Sequence, residues 1–319
     1  MNRARVTREA DIAVVIACHD EGRWDSLIGT ISSAQSQDPA PAEVVVVVDH
    51  NPTLMERLKT YHPELTVLEN QYERGASGTR NTGVEFCSQS LVAFLDDDVV
   101  AHEGWLEHLI EPFADGSVVG TGGRVDPVWQ VARPPWFPDE FLFVVGASFV
   151  GVSEENHVVR NVWSENMAVR RESFERVKGF RLAFGKVGDQ CRPEDTDLCI
   201  RMQAASPGAH FVYVPDAVIS HLVPPRRATF GYFLVRCYSE GRGKVEMSKH
   251  LRKDRDLTAE SDWFRRSVPA AIQKHLAGSM RSGGGADVLQ VGAIGSGVVA
   301  AGLGAAITLG RIFLHPQRP

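Results

Sequence analysis

VAFLDDDVV, residues 92–100, joins an apolar run to three consecutive carboxylates, Asp96, Asp97 and Asp98. The apolar run predicts a buried β-strand, so the carboxylates stand where that strand ends. Like charges this close raise one another's pKa unless a cation lies beside them. Oxygen ligands suit Mg²⁺ or Mn²⁺, which also bind substrate phosphates. The stretch therefore predicts a divalent metal at a strand end, although a solvated acidic turn is the alternative for the triplet taken alone.

Two earlier apolar runs end in the same way. Residues 11–18 form the first run and are followed by Asp20, and residues 43–48 form the second and are followed by Asp49. Unbroken Val and Ile runs are typical of strands covered on both faces, as in parallel α/β sheets. Each run precedes a segment with a helical pattern. Because ligands bind at the carboxyl ends of such strands, the sequence predicts a site along one sheet edge. A turn-forming role before Pro52 is the alternative for Asp49.

The composition is that of an ordinary globular protein. The chain has 319 residues, of which 43% are hydrophobic and 23% charged, enough for a full core and an appended segment. The net charge of −6 gives no electrostatic reason to expect a nucleic acid as partner. The five cysteines have neither zinc-site spacing nor an even number, and the first ten residues do not resemble a signal peptide, so we expect a cytoplasmic catalytic domain.

Three further motifs accompany the triplet stretch: the glycine-rich residues 74–83, the sequence NMAVRR at 166–171 with Gly179-Phe180, and PEDTDLCIR at 193–201. In this order the four motifs resemble those of family 2 glycosyltransferases with the GT-A fold. The resemblance covers roughly residues 12–221. It implies an α/β GT-A (nucleotide-diphospho-sugar transferase) fold, with a mainly parallel central sheet flanked by helices and a helical extension at the carboxyl end.

The resemblance assigns the acidic triplet to a metal site for Mg²⁺ or Mn²⁺. Asp96 and Asp98 match the first and last acids of the family's DXD motif. Asp98 is expected to bind the metal directly, and Asp96 to approach the ribose and metal-bound water. Asp97 points the other way along an extended backbone and stands where relatives often have a small residue. His221 is expected to join the metal site, with a buried histidine bonded to backbone as the alternative.

The same resemblance predicts the donor-binding residues. Asp49, assisted by Asp20, is expected to bind the base or ribose of the nucleotide, with Asp96 and Asp97 beside them. Arg80 is expected to bind phosphate or an internal carboxylate, with a helix-start arginine that only pairs with a strand-end aspartate as the alternative. Arg226 suits phosphate because a guanidinium binds it through two parallel hydrogen bonds.

Glu194 and Asp195 follow Pro193 at the start of a helical pattern, where the helix dipole favours ionised carboxylates. By resemblance Asp195 is the catalytic base and Glu194 orients the acceptor, whereas plain helix capping is the alternative. Trp163 and Asn166 are the other predicted acceptor-binding residues, although a tryptophan is more often part of a core.

The carboxyl end has a different composition. Residues 288–310 contain no charged side chain and are long enough to cross a bilayer. We expect a membrane span or re-entrant anchor, with a helix packed on the catalytic domain or a partner subunit as the alternative. The basic segment 244–255 suits the anionic inner face of the cell membrane, although a solvated helix face is the alternative.

The predicted organisation has three parts. They are a GT-A catalytic domain at 10–225 (nucleotide-sugar half 10–125, acceptor half 126–225), a basic and aromatic helical extension at 226–282, and an apolar helix at 286–312.

The predicted function is metal-dependent, inverting transfer of a sugar from a nucleotide sugar, preferentially UDP-linked. The acceptor hydroxyl would belong to a glycan, a lipid-linked precursor or a small metabolite, and self-association is left open. One alternative is a nucleotidyltransferase, and another is a catalytically silent nucleotide-sugar-binding subunit of a membrane glycan-assembly complex.

Overall fold

A computed structural model describes residues 9–149, 155–182, 184–187, 190–248, 263–282 and 285–314. The strands are β1 (Glu9–Cys18), β2 (Ala40–Val48), β3 (Thr66–Glu69), β4 (Leu91–Asp96), β5 (Val99–Ala101), β6 (Val118–Trp129), β7 (His157–Val159), β8 (Asn166–Arg170), β9 (Gly185–Val187), β10 (Gln190–Arg192) and β11 (His210–Val223). The α-helices are α1 (Trp24–Gln35), α2 (Pro52–Tyr61), α3 (Ala76–Phe86), α4 (Trp105–Ile110), α5 (Arg171–Arg176), α6 (Glu194–Ala204), α7 (Phe230–Ser248), α8 (Val268–Ser282) and α9 (Gly285–Leu314). Shorter 3₁₀ helices include Glu21–Arg23, Asp139–Val145 and Pro225–Ala228.

One sheet carries the predicted site. Its strand order among the described residues is β3-β2-β1-β4-β8-β6-β11-β5, and β7 also pairs with β11. The neighbours β3, β2, β1 and β4 are parallel, as expected for strands joined through helices. Beyond β4 the pairs β4–β8, β6–β8, β5–β11 and β7–β11 are antiparallel. The sheet is therefore mixed rather than mainly parallel, because only its amino-terminal half has helical crossovers.

Side chains of β1 alternate between two hydrophobic clusters. Ile12, Val14 and Ile16 pack in one cluster, and Ala13 and Val15 pack in the other. All five are fully buried. This burial on both faces explains the unbroken apolar sequence and confirms the expectation of a covered sheet.

The glycine-rich stretch forms the start of α3 and the contact of that helix with the sheet. Gly75 precedes the helix with φ of 147°, a backbone angle that favours glycine. A Cβ atom at Gly83 would lie 2.4 Å from Val15 Cγ1. Gly83 therefore allows α3 to pack closely on β1.

The chain divides into two compact units. The first comprises the described residues within Met1–Asp126, Ser153–Val187 and Glu194–His221, and the second those within Pro127–Val152, Gly188–Pro193 and Leu222–Pro319. Residues 127–149 thus group with the carboxyl-terminal helices in this division, and the predicted three-part organisation stays a prediction. Residues 249–255 of the predicted basic segment lie outside the described residues.

The second unit has its own aromatic core. Phe137 and Phe141 lie with their rings 5.5 and 5.3 Å from the ring of Phe233 on α7. Ala293 and Ile294 of α9 are buried in the same cluster. Most of α9, Gly285–Arg311, is long and apolar enough to cross a membrane, by length and composition alone.

Candidate functional site

Strand pairing brings the acidic triplet to His221. Val99 of β5 is paired with His221 of β11, so the residue before Val99 lies beside the histidine. Asp98 Oδ2 is 3.5 Å from His221 Nε2, and both side chains are buried. The predicted metal ligands Asp98 and His221 are therefore neighbours, although 123 positions apart in the sequence.

Arg23 neutralises this end of the triplet. Its Nη1 lies 2.5 Å from Asp97 Oδ1 and 3.0 Å from Asp98 Oδ2. Burial lowers the pKa of Arg23, but the two aspartates outweigh this effect and raise it. Burial also raises the pKa of Asp97, to about 6, in spite of the arginine. The sequence analysis missed Arg23, for which the only signal was a basic residue in the polar turn after β1.

Asp20 starts the turn that carries Arg23. Its Oδ1 accepts a hydrogen bond of 2.9 Å from the backbone N–H of Gly22 and caps the 3₁₀ helix. The structure thus gives Asp20 a local structural contact at the predicted edge of the sheet.

Asp49 joins the end of β2 to the glycine-rich stretch. Asn70 Nδ2 donates to its Oδ1 over 2.7 Å, and the Gly75 N–H donates to its Oδ2 over 2.9 Å. The turn-forming role considered for Asp49 belongs instead to Asn51, whose Oδ1 caps α2. Within the described part of the chain each Asp49 oxygen accepts one hydrogen bond, which leaves a second lone pair on each. Asn70, which was not predicted, fixes the carboxylate from the end of β3.

Arg80 lies buried between two predicted site acids. Its Nη2 is 2.6 Å from Asp96 Oδ1, and its Nη1 is 3.6 Å from Glu194 Oε1. Nε and Nη1 are buried without a hydrogen-bond partner in the described part of the chain. The Asp96 contact is the alternative considered from the sequence, a helix-start arginine paired with a strand-end aspartate, and a phosphate role for Arg80 stays a prediction. Arg80 thereby links the metal-side acid to the proposed catalytic pair.

Glu194 and Asp195 lie at the start of α6, as predicted. Burial and the neighbouring Asp195 raise the pKa of Glu194 to about 8, while Arg80 opposes the shift. Burial also raises the pKa of Asp195, and hydrogen bonds from the Ser164 hydroxyl and backbone N–H lower it again in part. Asp195 Oδ1 is buried with no hydrogen-bond partner among the described residues. Both carboxylates therefore bind a proton more tightly than an exposed acid does.

Glu165 is a site acid that the sequence analysis missed. Burial raises its pKa to about 8; His221 opposes this, and Asp96, Asp98 and Asp195 add to it. Its position follows from the sheet, because Leu95 is paired with Asn166 in antiparallel strands and Glu165 immediately precedes β8. The sequence signal that could have identified Glu165 was its position next to the NMAVRR motif. No sequence signal pointed to Ser164, which forms hydrogen bonds with Asp195.

Three other residues have structural contacts. Asn166 accepts a hydrogen bond from Trp105 Nε1 and donates to the carbonyls of Arg124 and Ala217, so both of its amide hydrogens are used. Trp163 is partly buried against the core. Asp197 is buried and binds Arg201 Nε through Oδ2 over 2.7 Å. The acceptor roles of Asn166 and Trp163 stay predictions.

Arg226 belongs to the second unit. It lies exposed in the 3₁₀ helix Pro225–Ala228, and its carbonyl accepts a hydrogen bond from the Thr229 hydroxyl. Its donor-binding role stays a prediction.

The predicted metal ligands must supply oxygen or nitrogen atoms that can hold a divalent metal. Among the described residues, no group of three or more His, Cys, Asp or Glu side chains is arranged to hold a metal ion. Asp98 and His221 offer two adjacent ligand atoms, and Asp97 Oδ2 is buried without a hydrogen-bond partner in the described chain. Mg²⁺ and Mn²⁺ commonly take one or two carboxylates and complete their shell with substrate phosphates and water. The residues fit such a partly formed site.

Solved structures show which fold this arrangement belongs to. The mannosyltransferase PcManGT from Pyrobaculum calidifontis, in complex with GDP-Man and Mn²⁺, superposes with a TM-score of 0.60 at 17% identity, over 94% of this chain and 88% of that one. GalNAc-T7 with UDP, GalNAc and Mn²⁺ superposes with a TM-score of 0.52 at 18% identity, over 83% and 57%. The fold of the chain is GT-A.

Sequence comparisons give the family. A glucosyl-dolichyl phosphate glucuronosyltransferase of Haloferax volcanii is 30% identical over 241 residues, covering 74% of this chain and 77% of that protein. A pre-mycofactocin glycosyltransferase of Mycobacterium tuberculosis is 29% identical over 184 residues, covering 56% of this chain and 37% of that protein. The model of glycosyl transferase family 2 matches residues 13–178, more than half of the chain. The chain is a glycosyltransferase and belongs to glycosyl transferase family 2.

Proposed function

We propose that the chain transfers a sugar from a nucleotide sugar to an acceptor hydroxyl in one inverting displacement, with Asp195 as the general base. The observation that carries this proposal is the environment of the Asp195 carboxylate, meaning its burial and its hydrogen bonds. One oxygen is buried without a partner among the described residues, Ser164 holds the side chain, and burial raises its pKa. A general base works best when its pKa lies near the operating pH. Asp195 has both the basicity and the available lone pair to take the acceptor proton.

Glu194 and Arg80 prepare the base for this step. The Arg80 guanidinium lies 3.6 Å from Glu194 and 2.6 Å from Asp96, so it compensates charge on both sides of the site. Without this cation, burial would favour protonation of the carboxylates more strongly. We infer that Arg80 keeps Asp195 available as a base, while Glu194 orients the acceptor.

The acids at the ends of the strands would bind the nucleotide-sugar donor. Asp49 has lone pairs left for the base or ribose, and Asp98 with His221 would hold a divalent metal, Mn²⁺ or Mg²⁺. A bound metal would supply positive charge for the diphosphate that leaves. Asp96 lies between this region and the Arg80 contact, where it could bind the ribose. Both solved neighbours contain Mn²⁺ and a nucleotide, which supports this assignment.

We infer that the acceptor is linked to a lipid phosphate. The relative in Haloferax volcanii bears the name of an enzyme acting on a glucosyl-dolichyl phosphate, and the described chain contains an apolar helix of membrane-crossing length. A polyprenyl phosphate acceptor requires the enzyme to work at a membrane surface. The catalytic domain would then act on the cytoplasmic face, where nucleotide sugars are available.

Transfer and donor hydrolysis test the proposal together. Purified protein would be incubated with UDP- and GDP-sugars and Mn²⁺, with and without a glycosyl polyprenyl phosphate. Asp195→Asn should lower transfer at least a hundred-fold, with an unchanged far-UV circular dichroism spectrum. Asp126→Asn, which alters a partly exposed acid in an ion pair with Arg124, is the matched control and should leave the rate unchanged.

The outcomes separate the alternatives. An inverted anomeric centre in the product, determined by proton NMR, supports the single displacement, and retention contradicts it. Near-normal transfer by a folded Asp195→Asn variant excludes this base. Nucleotide binding without transfer or hydrolysis would favour a silent subunit, and release of pyrophosphate from a nucleoside triphosphate would favour a nucleotidyltransferase.

A further inference from the structure

The outer face of α9 is apolar along almost its whole length. Its large exposed side chains are Val288, Leu289, Val299, Leu303, Ile307 and Leu309. Between residues 288 and 310 the helix has no charged side chain. At 1.5 Å per residue this apolar face is about 30 Å long. Exposed helix faces of water-soluble proteins are normally polar, and a continuous apolar face of this length marks an interaction surface.

The opposite face of α9 is packed on its own unit. A Cβ atom at Gly304 would lie 2.1 Å from the Tyr238 carbonyl oxygen, and one at Gly297 would lie 2.9 Å from the ring of Phe233. A Cβ atom at Gly241 of α7 would lie 2.0 Å from the Ala301 carbonyl oxygen. The backbones of α7 and α9 are thus in direct contact at the middle of α9. Lipid cannot surround α9 without separating these helices.

The helix that contacts α9 carries charges at the same level. Arg236 pairs with Glu240 and Arg242 pairs with Glu246, each one helical turn apart on α7. If α9 crossed a bilayer in this packing, these ion pairs would lie near the hydrocarbon centre, where charged side chains are costly. The packing therefore argues against a transmembrane α9.

Charge identifies the partner of the apolar face. Residues 263–314 contain five Lys and Arg side chains and one acid, Asp287, in a protein whose net charge is −6. Asp287 is already used, because its Oδ1 lies 3.0 Å from His275 Nδ1. Lys274 is also paired, with Glu140 Oε1 at 3.4 Å. Anionic lipid headgroups complement a segment with this excess of basic residues, whereas a second copy would add the same charge again. An apolar helix face in a basic segment is typical of helices that bind at a membrane surface.

We propose that α9 lies in the plane of an anionic membrane, with its outer face inserted among the acyl chains and its inner face held on α7. This inference rests on the proposed membrane attachment and adds its geometry. Because transfer to a water-soluble acceptor analogue does not require the membrane, loss of vesicle binding and loss of catalysis are distinguishable.

Vesicle flotation with the full chain tests the proposal. Detergent-free protein should float with vesicles of phosphatidylcholine containing 30% phosphatidylglycerol, and float far less with phosphatidylcholine alone or in 1 M salt. Val299→Glu/Leu303→Glu should weaken binding at least ten-fold. Phe86→Glu, which places the same charge on an exposed apolar residue of α3, should bind like wild type. Val299→Ser/Leu303→Ser repeats the test without added charge and should also weaken binding.

Each other outcome overturns the proposal. Unchanged flotation of both double variants would exclude the outer face, and absence of wild-type flotation would exclude a membrane partner. A wild-type dimer that the double variants convert to a monomer would assign the face to a second copy. Tags at the two ends of the chain that are accessible from opposite sides of reconstituted vesicles would show a membrane span.

Discussion

Arg23 Nη1 lies 2.5 Å from Asp97 Oδ1, so the acidic triplet carries a compensating charge from the protein itself. The same nitrogen is 3.0 Å from Asp98, a proposed metal ligand. A metal bound to Asp98 would be repelled by this guanidinium. Arg23→Met should therefore bind Mn²⁺ several-fold more tightly, as measured by electron paramagnetic resonance.

The same variant should be less stable without metal. Removing one partner of a buried ion pair leaves an uncompensated charge, which costs about 3 kcal/mol in the free energy of unfolding. Urea unfolding in the presence of a chelator measures this loss. Arg176→Met removes an exposed arginine with an ion pair to Glu172 and is the control for both measurements. Equal Mn²⁺ affinity in Arg23→Met and wild type would contradict the expectation.

Ser164→Ala should move the acidic limb of the pH–rate profile to higher pH. The Ser164 hydroxyl stabilises the ionised form of Asp195 and lowers its pKa. Without the hydroxyl the pKa rises, and the base is protonated over a wider pH range, with an expected shift of about half a pH unit or more. Ser164→Thr keeps the hydroxyl and should restore the wild-type limb. A lower rate with an unshifted limb would show a structural role only.

Glu165→Gln should stabilise the protein at alkaline pH. Burial raises the pKa of Glu165 from an ordinary 4.5 to about 8. Between these values the unfolded chain releases the proton first, so the wild-type free energy of unfolding falls as pH rises from 4.5 to 8. The glutamine variant lacks this loss and should be more stable by about 1–3 kcal/mol above pH 8. Urea unfolding at pH 5 and pH 8.5 measures the difference, and equal values for both proteins at both pH values would refute it.

Gly83→Ala should destabilise the fold by about 1–3 kcal/mol, because the new methyl group would overlap Val15. Gly29→Ala is the matched control. It also lies within a helix, α1, but has no neighbouring atom within 4 Å of an added Cβ. It should stabilise the protein slightly through helix propensity. Thermal unfolding measures the change in melting temperature of each variant. Similar changes for Gly83→Ala and Gly29→Ala would contradict the close packing of α3.

The amino-terminal half of the fold is predictable because its signals are local. The apolar runs before Asp20, Asp49 and Asp96 correspond to β1, β2 and β4, and the helical patterns that follow the first two runs correspond to α1 and α2. The antiparallel half depends on pairing between distant strands, which no local pattern encodes.

The same distinction applies to the site. Acids at strand ends and at a helix start were found from sequence because their position in an element is local information. The sequence did not indicate Arg23, Ser164 and Glu165, because their contacts depend on how distant segments of the chain pair and pack. Glu165, for example, reaches Asp96 only because Leu95 is paired with Asn166. The grouping of residues 127–149 with helices about a hundred residues later in the chain is likewise not encoded in a local pattern.

The pairing of Val99 with His221 also has a consequence for biosynthesis. Strand β11 occupies the sheet position between β6 and β5, although it leaves the ribosome more than eighty residues after both. Until it emerges, the sheet has an open gap, and Asp98 lacks its histidine neighbour. A nascent chain that ends before residue 210 would therefore lack one ligand of the proposed metal site, even with its four parallel strands in place. Metal affinity of stalled chains of increasing length would follow the arrival of this one strand.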